Sequence, residues 1–291
     1  MQKKLQSVIR LLCVLVGAAI LLYPSISTYL SEKNGSRAAG SYDGLVEQQN
    51  EAARQAVLQQ AIDYNRTLAE EQQDAGLPVT DAQGRPFCRD EYWDIMDLSG
   101  NGMMGYIVLP TLNETIPIYH STEEAVLQVG IGHVVNTSFP VGGPSTHAAL
   151  SGHRGLPSAS LFTNLDQVEI GDCFYIKMMD QILAYQVDQI LTVLPDETQE
   201  LAIVPGEDRV TLITCTPYGI NSHRLLVRGT RIPYVPPEDG ELLIPEADGP
   251  LLAKIPMQYR HLMLGLLAIL AFLLLRWGVR KASEFVRKRR R

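Results

Sequence analysis

Cys215 closes a β-branched, apolar run (Thr211–Cys215), and Arg224 opens a second one (Arg224–Val227). Between them Pro217-Tyr218-Gly219 and Asn221-Ser222 carry turn chemistry. A thiol at the end of one strand and a guanidinium at the start of its antiparallel neighbour come within interaction range. That pairing suits a nucleophile and a fixed positive charge. Residue habits alone favour a half-buried structural cysteine at such a place, so the reading needs a proton partner. Six histidines are available. His153, in Leu150-Ser151-Gly152-His153-Arg154-Gly155-Leu156-Pro157, sits where a strand runs into glycine-flanked irregular chain, a setting that exposes a side chain at a rim. His147, six residues earlier and on the same face of the same run, is its rival, and spacing does not separate the two.

The chain ends say where such chemistry would take place. Val8–Tyr29 is almost uninterrupted apolar sequence behind Lys3 and Lys4, and it reads as an uncleaved membrane anchor. Leu262–Val279 reads as a second span, flanked by Arg276, Arg280, Lys281 and the basic run Arg287–Arg291. Basic flanks stay in the cytoplasm, so both termini are expected inside and everything between the spans outside the cell. The net charge of −7 conceals an asymmetry: residues 31–260 hold 14 Lys+Arg against 31 Asp+Glu, a net of −17. Such acidity argues against nucleic acid as a partner. Of four cysteines, Cys13 lies in the first apolar run. Cys88 and Cys173 are free to pair in an oxidising exterior, which would leave Cys215 as the odd thiol. No ligand spacing points to a metal or cofactor, and none is expected.

The organisation between the spans falls into blocks. Residues 1–30 form the tail and first anchor, and 31–91 a helical region ending in a loop. The stretch Leu45–Gln73 is free of Gly and Pro, with a modest apolar stripe of Leu45, Ala52, Ala56, Leu58, Ala61 and Leu68. This helix is equally consistent with a solvated stalk and with packing on the domain. Residues 92–233 change texture to short strands: 105–110, 114–119, 146–153, 173–177, 182–190, 209–215 and 224–232. Strands without helical crossovers point to a closed or nearly closed β-barrel or a sandwich. Segments 121–129 and 159–165 are expected as short helices or turns. Residues 234–260 form a Pro- and acid-rich linker, 261–279 the second span and 280–291 a basic cytoplasmic tail.

The string Thr211–Gly229, together with Gly102–Ile107, Pro117–His120 and Leu150–Pro157, resembles the signature segments of class C sortases, the pilin-polymerising transpeptidases of Gram-positive bacteria. The two-anchor layout also suits that class. The resemblance implies a mainly β fold, a sortase-type closed barrel of about eight strands with N-terminal helices between two transmembrane helices. It implies Cys215 as nucleophile, His153 as its acid/base partner and Arg224 as the oxyanion or substrate-positioning cation. The substrate would be an LPXTG-like sorting signal cut between Thr and Gly, and the acceptor a pilin lysine amine. A housekeeping sortase that anchors proteins to a peptidoglycan amine, or a non-catalytic pilus-assembly scaffold, are the alternatives. Members of the class carry a lid with an Asp-Pro-aromatic motif over the cysteine. The matching segment here is Arg85-Pro86-Phe87, which makes Pro86 and Phe87 the lid candidates with a base where the acid stands. Cys88 beside them adds the idea of a redox clasp to Cys215 or Cys173.

Overall fold

The computed structural model describes residues 2–75 and 90–236, together with Gly265 and Arg276. The chain divides into two compact units, Leu30–Ala247 and a smaller one formed by Met1–Tyr29 with Asp248–Arg291. Helix α1 runs Gln2–Gln48 and α2 runs Glu51–Ala75, with Asn50 capping α2 through its side-chain carbonyl to the Ala53 N–H at 2.9 Å. Among the described residues no helix is long and apolar enough to cross a membrane. Many side chains of Val8–Tyr29, and nearly all of Leu262–Val279, lie outside the described residues. The first apolar run is thus helical in its backbone, and the helix continues without a break into the block expected to begin anew at Leu45.

Eight strands close a barrel in the order β1-β2-β3-β4-β7-β8-β6-β5. They are β1 (Met103–Leu109), β2 (Glu114–Tyr119), β3 (Ile131–His133), β4 (Thr146–Ser151), β5 (Cys173–Met178), β6 (Gln181–Val193), β7 (Asp208–Thr216) and β8 (His223–Ile232). Two pairings are parallel, β2 with β3 and β4 with β7, and the remaining ones antiparallel. The single-turn helix α3 (Glu124–Leu127) lies in the segment expected to hold a short helix. Closure leaves no free edge to be protected.

Strand β3 escapes sequence reading because it has three residues, with a glycine at its centre. Its glycine is obligatory on packing grounds: a Cβ on Gly132 would sit 2.0 Å from the Ser121 carbonyl oxygen. This close approach lets β3 slot between Ile118/Tyr119 of β2 and Leu150/Ser151 of β4. Without it β4 would lack a neighbour on one side.

The helices pack on the barrel, which decides the open question of the stalk. In α2 the buried face is Leu58, Ala61, Tyr64, Asn65, Leu68 and Ala69, whereas Ala52 and Ala56 of the apolar stripe are exposed. Two of these six, Tyr64 and Asn65, carry polar groups, so counting apolar residues undervalued the face. Asn65 binds Phe139 twice, donating to its carbonyl at 2.9 Å and accepting its N–H at 2.7 Å. From α1, the Tyr42 hydroxyl donates to the Met104 carbonyl at 2.7 Å and accepts the Met179 N–H at 2.9 Å. The Tyr106 hydroxyl donates to Asp43 at 2.9 Å. All seven residues of β1 are buried as a result, its outer face being covered by helix.

Candidate active site

Strands β7 and β8 place Cys215 directly opposite Arg224. Opposite residues of an antiparallel pair share a face, with Cβ atoms about 4.5–5.5 Å apart. Each strand runs one residue beyond the boundary expected from sequence, to Thr216 and from His223. Cys215 is a half-buried free thiol. The Arg224 guanidinium donates through Nη1 to the carbonyls of Asn221 at 3.3 Å and His223 at 3.2 Å. Among the described residues no carboxylate pairs with it. Its charge is therefore left for whatever enters the site.

His153 reaches this rim by the parallel pairing of β4 with β7. Ser151 stands opposite Ile213, and two further bonds carry the register on: the Gly152 N–H donates to the Ile213 carbonyl at 3.0 Å and the Thr214 hydroxyl to the Gly152 carbonyl at 2.8 Å. One residue further along each strand, His153 and Cys215 emerge at the same end of the barrel. The His153 ring is part-exposed, at 29 %, and its Nε2–H donates to Glu124 on α3 at 3.3 Å. The Glu124 carboxyl is held below the usual carboxylate range by hydrogen bonds, first from Gln128 and then from His153. Glu124 was invisible to sequence reasoning, being 29 positions away from His153 with no motif to link them.

The other described histidines are committed elsewhere. His147 is fully buried, and its Nδ1–H donates to the Ala202 carbonyl at 3.0 Å while Nε2 accepts the Thr211 hydroxyl at 2.8 Å. Burial pushes its pKa down to about 4, with the charges of Arg209 and Arg228 acting the same way. His133 is similarly buried and pushed down to about 4, accepting the Tyr92 hydroxyl on Nδ1 and donating from Nε2 to the Ser138 carbonyl. His120 is buried between the carbonyls of Gly102 and Ile95, and His223 lies against the Ser222 hydroxyl. His147 thus pins β4 to β7 and does not reach the rim. His261, the lid candidates Pro86 and Phe87, and Cys88 lie outside the described residues; Cys173 is a free thiol. No group of three or more His, Cys, Asp or Glu that could hold a metal occurs among the described residues.

A thiol, an imidazole and a guanidinium without a carboxylate partner among the described residues, all at one rim of a closed, mixed barrel, define a site suited to acyl transfer through cysteine. Known proteins agree with that class. The model of the sortase domain matches residues 107–232. The crystal structure of sortase C1 from Streptococcus agalactiae is 42 % identical, with a TM-score of 0.62, covering 68 % of this chain and 100 % of that one. Sortase C from Streptococcus pneumoniae, whose structure was solved with its pilin substrate specificity in view, is 40 % identical at a TM-score of 0.58, covering 69 % and 99 %. Among curated relatives, sortase A of Bacillus anthracis is 30 % identical over 127 residues, 44 % of this chain. The match spans 59 % of that relative's length. The chain belongs to the sortase family, a family of cysteine transpeptidases.

Proposed function

We propose that this chain is a membrane-anchored pilin sortase that cleaves an LPXTG-like signal between Thr and Gly and joins the new Thr acyl group to a pilin lysine. The observation that carries the reading is the cross-strand pair Cys215–Arg224 with His153 delivered to the same rim by β4. The Cys215 thiolate attacks the Thr carbonyl carbon, and the developing oxyanion is met by the Arg224 guanidinium, which lacks a carboxylate partner among the described residues. The Thr–Gly C–N bond then breaks, and the His153 imidazolium gives its proton to the departing glycine amine, leaving a thioester on Cys215. A lysine ε-amine attacks that thioester, its surplus proton passes to His153, and Cys215 leaves as thiolate once the isopeptide bond has formed.

The pilin substrate is supported by the likeness to sortases C of known structure, and the acceptor by the class they represent. Anchoring through Val8–Tyr29 and Leu262–Val279, with the barrel outside and both termini in the cytoplasm, is supported by hydropathy and by the basic flanks. Pro86 and Phe87 belong to the same proposal as a lid over Cys215. The test is to incubate the purified chain with a sorting-signal peptide and look by mass spectrometry for the thioacyl adduct on Cys215. Cys215→Ala should abolish the adduct and, in cells, covalent pilus ladders, while leaving the protein in the membrane. Intact ladders with Cys215→Ala would sink the enzyme reading. Adduct formation with surface proteins attached singly to the wall would replace pilin lysine by a peptidoglycan amine.

A further inference from the structure

The two neighbours of the proposed catalytic pair are tied to each other by a buried cation. Arg154 follows His153 and Thr216 follows Cys215, and Arg154 Nη1 donates to the Thr216 hydroxyl oxygen at 3.0 Å. Its Nη2 pairs with Asp166 at 2.5 Å. The Arg154 side chain is only 9 % exposed, and its Nε–H is buried with no partner among the described residues. Burying a guanidinium with one donor unsatisfied is costly, and a surface ion pair with a half-exposed aspartate does not require it. The arrangement therefore has to be explained by what it holds in place.

Three more links converge on the same loop. The Phe162 N–H donates to the His153 carbonyl at 3.2 Å, and the Gly155 N–H donates to the Thr163 hydroxyl at 3.0 Å. Gly155 has a φ of +79°, and a Cβ there would stand 2.8 Å from the ring of Tyr218, on the loop after Cys215. The turn 162–166 is thus a platform under the His153 loop, and Arg154 on that loop is held by Asp166 of the platform while it reaches Thr216 at the end of β7. The β4–β7 ladder ends at Ser151 and Ile213, and the bonds of Gly152 to Ile213 and Thr214 are its last ties, one residue short of His153 and Cys215. Past that point Arg154 takes over the work of holding the two side chains in register.

We propose that Arg154 is a positioning residue: by bridging Asp166 to the Thr216 hydroxyl, it fixes the distance between His153 and Cys215. This rests on the reading of Cys215 and His153 as nucleophile and acid/base partner. Arginine is needed because the bridge uses two separate nitrogens of a rigid fork, which lysine lacks. A misplacement of about 1 Å between reacting groups costs up to roughly a hundredfold in rate, so a loosened bridge should be read in turnover and hardly in substrate binding.

The test is peptide cleavage and Cys215 acylation by the full-length protein in detergent, with thermal unfolding measured alongside. Thr216→Val, which keeps the shape and removes the acceptor, should lower kcat about tenfold with KM within about twofold. Thr216→Ser, which restores the oxygen, should come back to within about threefold of the parent. Arg154→Met should lower kcat by at least as much as Thr216→Val. The double variant should be no slower than Arg154→Met alone, because both changes break one bridge. Asp166→Asn, at a half-exposed position, carries the same test if Thr216→Val does not fold. The proposal is overturned if Thr216→Val turns over like the parent, if the serine variant is as slow as the valine one, or if the two losses add. A parent protein that forms no adduct on Cys215 would instead bring down the functional reading beneath it.

Discussion

Acid should loosen the strand pairing that delivers His153 to Cys215, because that pairing is pinned by a histidine buried in its neutral form. His147 sits on β4 and takes the Thr211 hydroxyl of β7 on its Nε2 lone pair. Protonation would place a hydrogen on that lone pair and a charge in a site already facing Arg209 and Arg228. His133, on β3 next door, is held down to about 4 in the same way, by burial first and then by the nearby His120. Both groups have folded values below their ordinary one, so the unfolded chain takes up protons first as pH falls. The stability they contribute is whole above about 6.5 and is lost progressively down to about 4. With a shift from 6.5 to about 4, lowering the pH from 7 to 5 costs about 2 kcal/mol for each, or about 4 kcal/mol together. At ~2–4 °C per kcal/mol for a unit of this size, that is a fall in Tm of roughly 8–16 °C. Urea unfolding at the two pH values measures it directly, and His147→Gln should remove about half of the difference. Equal stability at pH 7 and 5, or an undiminished difference in His147→Gln, would refute the reasoning.

Further outcomes follow from the same geometry. Arg224→Ala should lower the acylation rate by about 10²–10³, the loss expected on removing one oxyanion-type donor, and Arg224→Lys should not restore it, as peptide-cleavage kinetics would show. Glu124→Gln should slow turnover by no more than about fivefold, since the carboxylate is largely exposed where it accepts from His153, and stopped-flow acylation would resolve it. Asn65→Leu should cost about 1–3 kcal/mol by orphaning the Phe139 N–H, while the Phe139 carbonyl keeps the Val141 N–H at 2.8 Å, a loss visible in denaturant unfolding with acylation still detectable at low temperature.

How much of this was legible beforehand depends on whether the signal is local. Thr211–Cys215 and Arg224–Val227 announce themselves as strands by β-branching and by the turn residues between them, and β7 and β8 lie there to within a residue. That the domain is a β-barrel or a sandwich was readable because strands follow one another without helical crossovers, while its closure into a barrel came from the pairing of the strands. The strand β3 was not, since three residues with a central glycine have no propensity to display; its place depends on the absence of a side chain at Gly132, where a Cβ would stand 2.0 Å from the Ser121 carbonyl oxygen. The packing of α2 was undecidable for a related reason. Its buried face depends on Tyr64 and Asn65, whose worth lies in partners on the barrel rather than in their own hydrophobicity.

The choice between His153 and His147 shows the division most clearly. By residue type and spacing the two are equivalent, and without the family resemblance sequence reasoning leaves them so. The parallel pairing of β4 with β7 separates them: His147 is carried inward to Thr211, and His153 outward to the rim where Cys215 and Arg224 face each other. By itself the amino-acid order determined the chemical inventory, the two basic-flanked apolar ends, the acidic middle and most of the strands, because those depend on composition and on periodicity along the chain. Which imidazole comes to the rim of the thiol, that Glu124 pairs with it, and that Arg154 is spent on Thr216 were decided only by tertiary structure, because each brings together groups 29 to 64 positions apart. A nonlocal pair leaves no periodicity to read.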